Sequence, residues 1–129
     1  MVREPLYLAD RVPTPWGWVV RRPEKFSMPD KKGLCDIGYG TYIQAEEGVE
    51  IGEDVQVGGY CLIYSVSTID NKRGKVTLED GCRVGSYSLI MPGVTIGRNS
   101  VVGAYSFVTK DIPESVVAFG VPCEVKYPL

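Results

Sequence analysis

Residues 84–113 read VGSYSL-IMPGVT-IGRNSV-VGAYSF-VTKDIP, a run of hexads in unbroken register. The pattern extends upstream through IGEDVQ, VGGYCL and IYSVST (51–68), breaks at IDNKRGKVT (69–77) and resumes with LEDGCR (78–83). The first position is aliphatic throughout: Ile51, Val57, Ile63, Ile69, Leu78, Val84, Ile90, Ile96, Val102 and Val108. Glycine follows it at Gly52, Gly58, Gly85, Gly97 and Gly103. The fifth position is small or medium, as at Val55, Cys61, Cys82, Ser88, Val94, Ser100 and Ser106.

A helix repeats near 3.6 residues and a lone strand every two, so a period of six fits neither. It fits a short strand and a bend, three times per turn of a triangular coil. Glycine sits where a Cβ would clash at the corner. Successive coils stack as parallel strands roughly 4.8 Å apart, each burying its aliphatic face against its neighbours. The expected fold is all-β, a parallel β-helix of about four coils from Tyr39 to Pro113, with an irregular N-terminal arm. The expected division is an arm or cap over 1–34, repeats over 35–113, and a segment packing on the last coil over 114–129. Counting 69–77 as a hexad with three extra residues predicts the columns Ile51–Ile69–Ile90–Val108, Val57–Leu78–Ile96 and Ile63–Val84–Val102. It also predicts that Cys61 stacks on Cys82 and Ser100, and Ser67 on Ser88 and Ser106.

The composition narrows the chemistry. Net charge is −2, so no basic face invites nucleic acid or an anionic membrane. No apolar run spans a bilayer, the N-terminus lacks the apolar core of a signal peptide, and Cys35, Cys61, Cys82 and Cys123 show no CxxC spacing. A reduced cytoplasmic protein is expected. There is no histidine, which removes Ser-His-Asp and Cys-His catalysis and every His-ligated metal site. No metal is expected. Trp16 and Trp18 read as end-capping or subunit packing, because an open coil end exposes strand groups. The polar break carries Asp70, Asn71, Lys72, Arg73 and Lys75, the place for a substrate-facing loop on a rigid scaffold.

The stretch VGSYSLIMPGVTIGRNSVVGAYSFVTKDIP with the later FGVPCEV resembles the C-terminal part of hexapeptide-repeat acyltransferases, nearest the galactoside and maltose O-acetyltransferases and the sugar-nucleotide N-acetyltransferases. The resemblance implies a left-handed coil and a homotrimer, with acetyl-CoA as co-substrate in the groove between subunits. Gly85, Ser86, Gly103 and Ala104 match the track of the pantetheine arm. Residues 86 and 104 are one coil apart and therefore line one face. Thr109 and Lys110 match contacts near the coenzyme's phosphate end. Two positions depart from the family. Glu124 stands where an arginine is usual, and Thr68 aligns with the catalytic histidine of the O-acetyltransferases.

A threonine hydroxyl is no general base near neutral pH. An amine, unlike an alcohol, attacks a thioester without a base to deprotonate it first. The expected activity is therefore N-acetylation of an amino sugar or sugar nucleotide, with Asp70 taking the proton or holding the ammonium and Thr68 binding substrate. The alternative is a non-catalytic trimeric β-helix that binds or scaffolds.

Overall fold

A computed structural model describes residues 11–29 and 36–129. Parts of the expected arm, and Cys35, lie outside the described residues. The described chain is a parallel β-helix of about five coils and contains no α-helix, only a single 3-10 turn at Pro23–Lys25.

Strand β1 (Arg11–Pro13) runs antiparallel to β2 (Val19–Arg21). The first coil then comprises β2, β3 (Phe26–Ser27) and β4 (Asp36–Ile37), and the second β5 (Tyr42–Gln44), β6 (Val49–Ile51) and β7 (Gln56–Val57). The third begins with β8 (Leu62–Tyr64), leaves the coil in a hairpin of β9 (Val66–Ser67) and β10 (Lys72–Arg73), and returns through β11 (Val76–Leu78) and β12 (Arg83–Val84). The fourth is β13 (Leu89–Ile90), β14 (Thr95–Ile96) and β15 (Val101–Val102). The fifth is β16 (Phe107–Val108), a bridge at Ile112, and β17 (Val116–Phe119), which β18 (Glu124–Pro128) covers in antiparallel pairing. Parallel pairing therefore begins at Val19 and continues to Ala118, beyond the hexad run at both ends.

Three faces result. Face one stacks β2, β5, β8, β13 and β16; face two β3, β6, β11 and β14; face three β4, β7, β12, β15 and β17. Inward side chains form the core columns Val20–Ile43–Ile63–Ile90–Val108, Ile51–Leu78–Ile96–Ile112 and Ile37–Val57–Val84–Val102–Ala118. All are nearly or wholly inaccessible, each worth about 1.5–3 kcal/mol on burial for the larger aliphatics.

All five expected columns are overturned where they cross the break at 69–77. Ile51 and its column partner Leu78 are 27 residues apart, nine more than the 18 that separate Leu78 from Ile96, so the break adds nine residues rather than three. Ile69 is not in the core but 99% exposed at the hairpin turn. It satisfies the period by sequence, but Asp70 and Asn71 behind it are turn formers, and Asn71 adopts the left-handed region at φ 55°. Cys61 and Cys82 are both buried, yet they belong to different columns. Cys61 lies between Thr41 and Ser88, and Cys82 beside Val55 and Ser100, as the flanking strand registers require. Ser67 leaves its column for the hairpin.

The polar interior column is keyed coil to coil. The Cys61 N–H donates to Thr41 Oγ1 (3.1 Å), Ser106 N–H to Ser88 Oγ (3.3 Å) and Gly120 N–H to Ser106 Oγ (3.2 Å). Each hydroxyl is satisfied by a carbonyl, as buried polar groups must be. Burial pushes the Cys61 and Cys123 thiols up from their ordinary values, so both stay protonated and inert. Trp18 is buried edge-on to Phe26 in the first coil, whereas Trp16 stacks outside it and is exposed.

Candidate functional site

The corners joining face three to face one carry Gly58-Gly59-Tyr60, Gly85-Ser86-Tyr87 and Gly103-Ala104-Tyr105 in consecutive coils. The backbones approach closely here. A Cβ on Gly85 would lie 2.5 Å from the Ala104 nitrogen, and one on Gly58 would lie 2.6 Å from the Ser86 nitrogen. Ser86 and Ala104 are thus stacked neighbours at one edge, as their spacing predicts. Their N–H groups have no acceptor among the described residues, while amides on either side pair to adjacent coils: Gly85 N–H to Val102 O of the next coil (2.7 Å) and Tyr105 N–H to Ser86 O of the preceding one (3.0 Å). Two unpaired donors, one per coil, suit a ligand that itself carries carbonyls along its length.

The other predicted residues lie on the next edge, between faces one and two. Thr68 and Asp70 sit in the exposed turn of the hairpin, and Thr109 and Lys110 follow β16 at the same edge two coils below. The Ser67 hydroxyl, aided by nearby amides and Lys72, holds Asp70 below the usual carboxylate range, so it is an anion at neutral pH. Lys72 Nζ is 3.8 Å from it. Within one chain the two groups of residues do not meet, and face one separates them.

The anchoring of the hairpin was not legible in the sequence. Arg73 Nη2 donates to Glu46 Oε2 (3.0 Å) and Glu47 Oε2 (2.9 Å) of the preceding coil, and these carboxylates raise its pKa further. Beneath them, buried Ser65 donates to Gln44 Oε1 (2.7 Å) and accepts from the Glu47 N–H (2.9 Å). The arm is thereby strapped to the rod at its base. The sequence gives no sign that the three corner tyrosines share an edge beyond their common fourth position in the hexad.

Residues 75–110 match the model of the bacterial transferase hexapeptide (six repeats). This is a hexapeptide-repeat β-helix. A galactoside O-acetyltransferase from Lactococcus lactis is 40% identical to the hexapeptide-repeat chain over 111 residues, 73% of this chain and 54% of the relative. A solved galactoside acetyltransferase in complex with coenzyme A superposes with a TM-score of 0.73 at 28% identity, covering 91% of this chain and 60% of that one. An N-acyltransferase from Bacillus cereus, AntD, solved with dTDP and 3-hydroxybutyryl-CoA, superposes with a TM-score of 0.69 at 18% identity, covering 99% and 88%; that likeness is one of fold. The coil is accordingly the left-handed parallel β-helix of such acetyltransferases. The chain spans about half the length of its L. lactis relative. Among the described residues no helix is long and apolar enough to cross a membrane, and no cluster of three or more His, Cys, Asp or Glu is placed to hold a metal.

Proposed function

We propose that this chain is an acyltransferase that moves an acetyl group from acetyl-CoA to the amine of an amino sugar or sugar nucleotide, as a homotrimer. The observation that carries the reading is the pair of unpaired amides at Ser86 and Ala104 on an edge built by Gly85 and Gly103, in a protein with no histidine. The pantetheine carbonyls accept from those N–H groups. The thioester carbonyl is attacked by the unprotonated amine. The C–N bond forms, the C–S bond breaks, and the proton of the resulting ammonium passes to Asp70 or to water while the thiolate is protonated from solvent. Asp70, ionised and exposed, is also suited to hold the ammonium form of the acceptor, with the Thr68 hydroxyl beside it.

Face one supports the proposed trimer. Its outward side chains are Val19, Tyr42, Leu62, Leu89 and Phe107, a continuous apolar stripe on the rod. The same positions on face two are Glu50, Thr77 and Thr95. An apolar stripe of this kind is a contact surface. Packing it against a second copy brings the Ser86–Ala104 edge of one chain towards an edge carrying Asp70, Thr109 and Lys110 on another, which completes the site.

The test is thiol release from acetyl-CoA with a panel of nucleotide amino sugars across pH 6 to 9. The rate is expected to rise with pH as the acceptor amine loses its proton. A flat profile with chemistry limiting, or equal rates with sugars that offer only hydroxyls, overturns the amine mechanism. Glu124, a carboxylate in the terminal strand pair where a coenzyme phosphate would be repelled, favours the second reading of a non-catalytic trimeric module. Absence of any CoA binding decides for it.

A further inference from the structure

The corner tyrosines form a ladder. Tyr60 and Tyr87 stack at 5.5 Å and 12°, and Tyr87 and Tyr105 at 5.1 Å and 3°. The edge of Tyr39 closes the upper end against Tyr60 (5.9 Å, 66°). All three rungs hold positive φ, between 57° and 62°. Few bulky side chains adopt that region, and its strain gathers at functional sites. The corresponding corners between faces two and three use Asp54, Gly81 and Asn99, residue types that tolerate it, and Ser115.

The lower end of the ladder is open. Tyr105 stacks only on Tyr87 among the described residues and is 67% exposed, against 51% for Tyr60 and 53% for Tyr87. The pairing of Val102 with Ala118 and the contact of Gly103 with Phe119 place Gly120 and Val121 one rung below Ala104 and Tyr105. That rung has no ring. Gly120 carries no side chain, and Val121 offers an exposed apolar surface. Lys126 sits at the same corner, its Nζ 5.1 Å from the centre of the Phe119 ring.

We propose that the open face of Tyr105 is a stacking platform for the adenine ring of the acyl donor, which enters as the next rung of the ladder. The inference rests on the acyl-transfer reading above. Tyr105 directly follows Ala104, whose free amide belongs to the proposed pantetheine track. The coenzyme's phosphate end is assigned to this last coil through Lys110. A flat, weakly polar ring is what an uncapped aromatic stack takes up. The base of a nucleotide-sugar acceptor has the same chemistry, so the experiment must separate donor from acceptor.

Calorimetric titration of the full chain with CoA and with 4′-phosphopantetheine, which lacks the adenosine, makes that separation. Tyr105→Gly removes the ring and leaves a residue at ease at positive φ, so the corner is retained, and Tyr105→Phe keeps the ring. Tyr105→Gly is expected to weaken CoA binding about tenfold while 4′-phosphopantetheine binds as to the wild type, and Tyr105→Phe is expected to behave as wild type. Equal affinity of wild type and Tyr105→Gly for CoA overturns the platform and leaves the acyl-transfer reading standing. An equal loss for both ligands, or a loss seen only in acceptor affinity, overturns it as well. A wild type that binds no CoA overturns the acyl-transfer reading and the platform together.

Discussion

Gly85 shows how little space a corner allows. A Cβ there meets the Ala104 nitrogen at 2.5 Å and its Cα at 2.8 Å, both backbone atoms, so the coils must move apart to admit it. Gly85→Ala is expected to destabilise the protein by about 1–3 kcal/mol, the usual cost of overpacking, read as a lower urea midpoint with an unchanged slope. Asp70 offers a second test at this scale. The Ser67 hydroxyl is the largest cause of its lowered pKa. Because the folded value lies below the unfolded one, its contribution is present above the unfolded pKa and is lost as pH falls through the folded one. Ser67→Ala is expected to move the Asp70 carboxyl titration upward in NMR, and an unmoved titration removes that hydrogen bond from the account. Single residues were legible in the sequence where one steric rule decides, as at Gly85. The tyrosines at positive φ were not, because nothing in the hexad marks its fourth position as the left-handed corner until the coil is built.

Among the elements, the hairpin of β9 and β10 is where the hexad reading failed. Strands from Val84 to Val108 were legible because each aliphatic position lies a fixed number of residues from the next and no other structure satisfies that period. Ile69 satisfied it by coincidence. What decided was the turn at residues 68–71 and the strap from Arg73 to Glu46 and Glu47, a contact 26 and 27 residues long that periodicity does not encode. The first coil was hidden for a related reason: Val20, Phe26 and Ile37 share no constant spacing, although they pair with the second coil as the later strands do. The strap is solvent-exposed, so its value to global stability is small. Arg73→Ala is expected to leave Tm nearly unchanged but to speed amide exchange within 66–74. Exchange at the wild-type rate means that Ser65 and Gln44 hold the hairpin unaided.

For the whole molecule, face one is the proposed subunit contact. Replacing Phe107, on the apolar stripe of the last coil, with Glu puts a charge into the proposed subunit contact without touching the inward column. Phe107→Glu is expected to convert a trimer into monomers in sedimentation equilibrium at micromolar concentration while leaving the far-UV spectrum unchanged. A wild type that is already monomeric removes the shared site. The nine-residue detour has one more consequence. The chain leaves the third coil after Tyr64 and rejoins it at Val76 with every later column in line. The length of the rod is therefore a count of rungs and not of residues. Extra chain spliced into that turn would enlarge a side arm and leave the pitch untouched, whereas a single residue added at Ser86 would throw every rung below it out of step. Of all the corners, this one is the port through which such a rod can acquire a new specificity without being rebuilt.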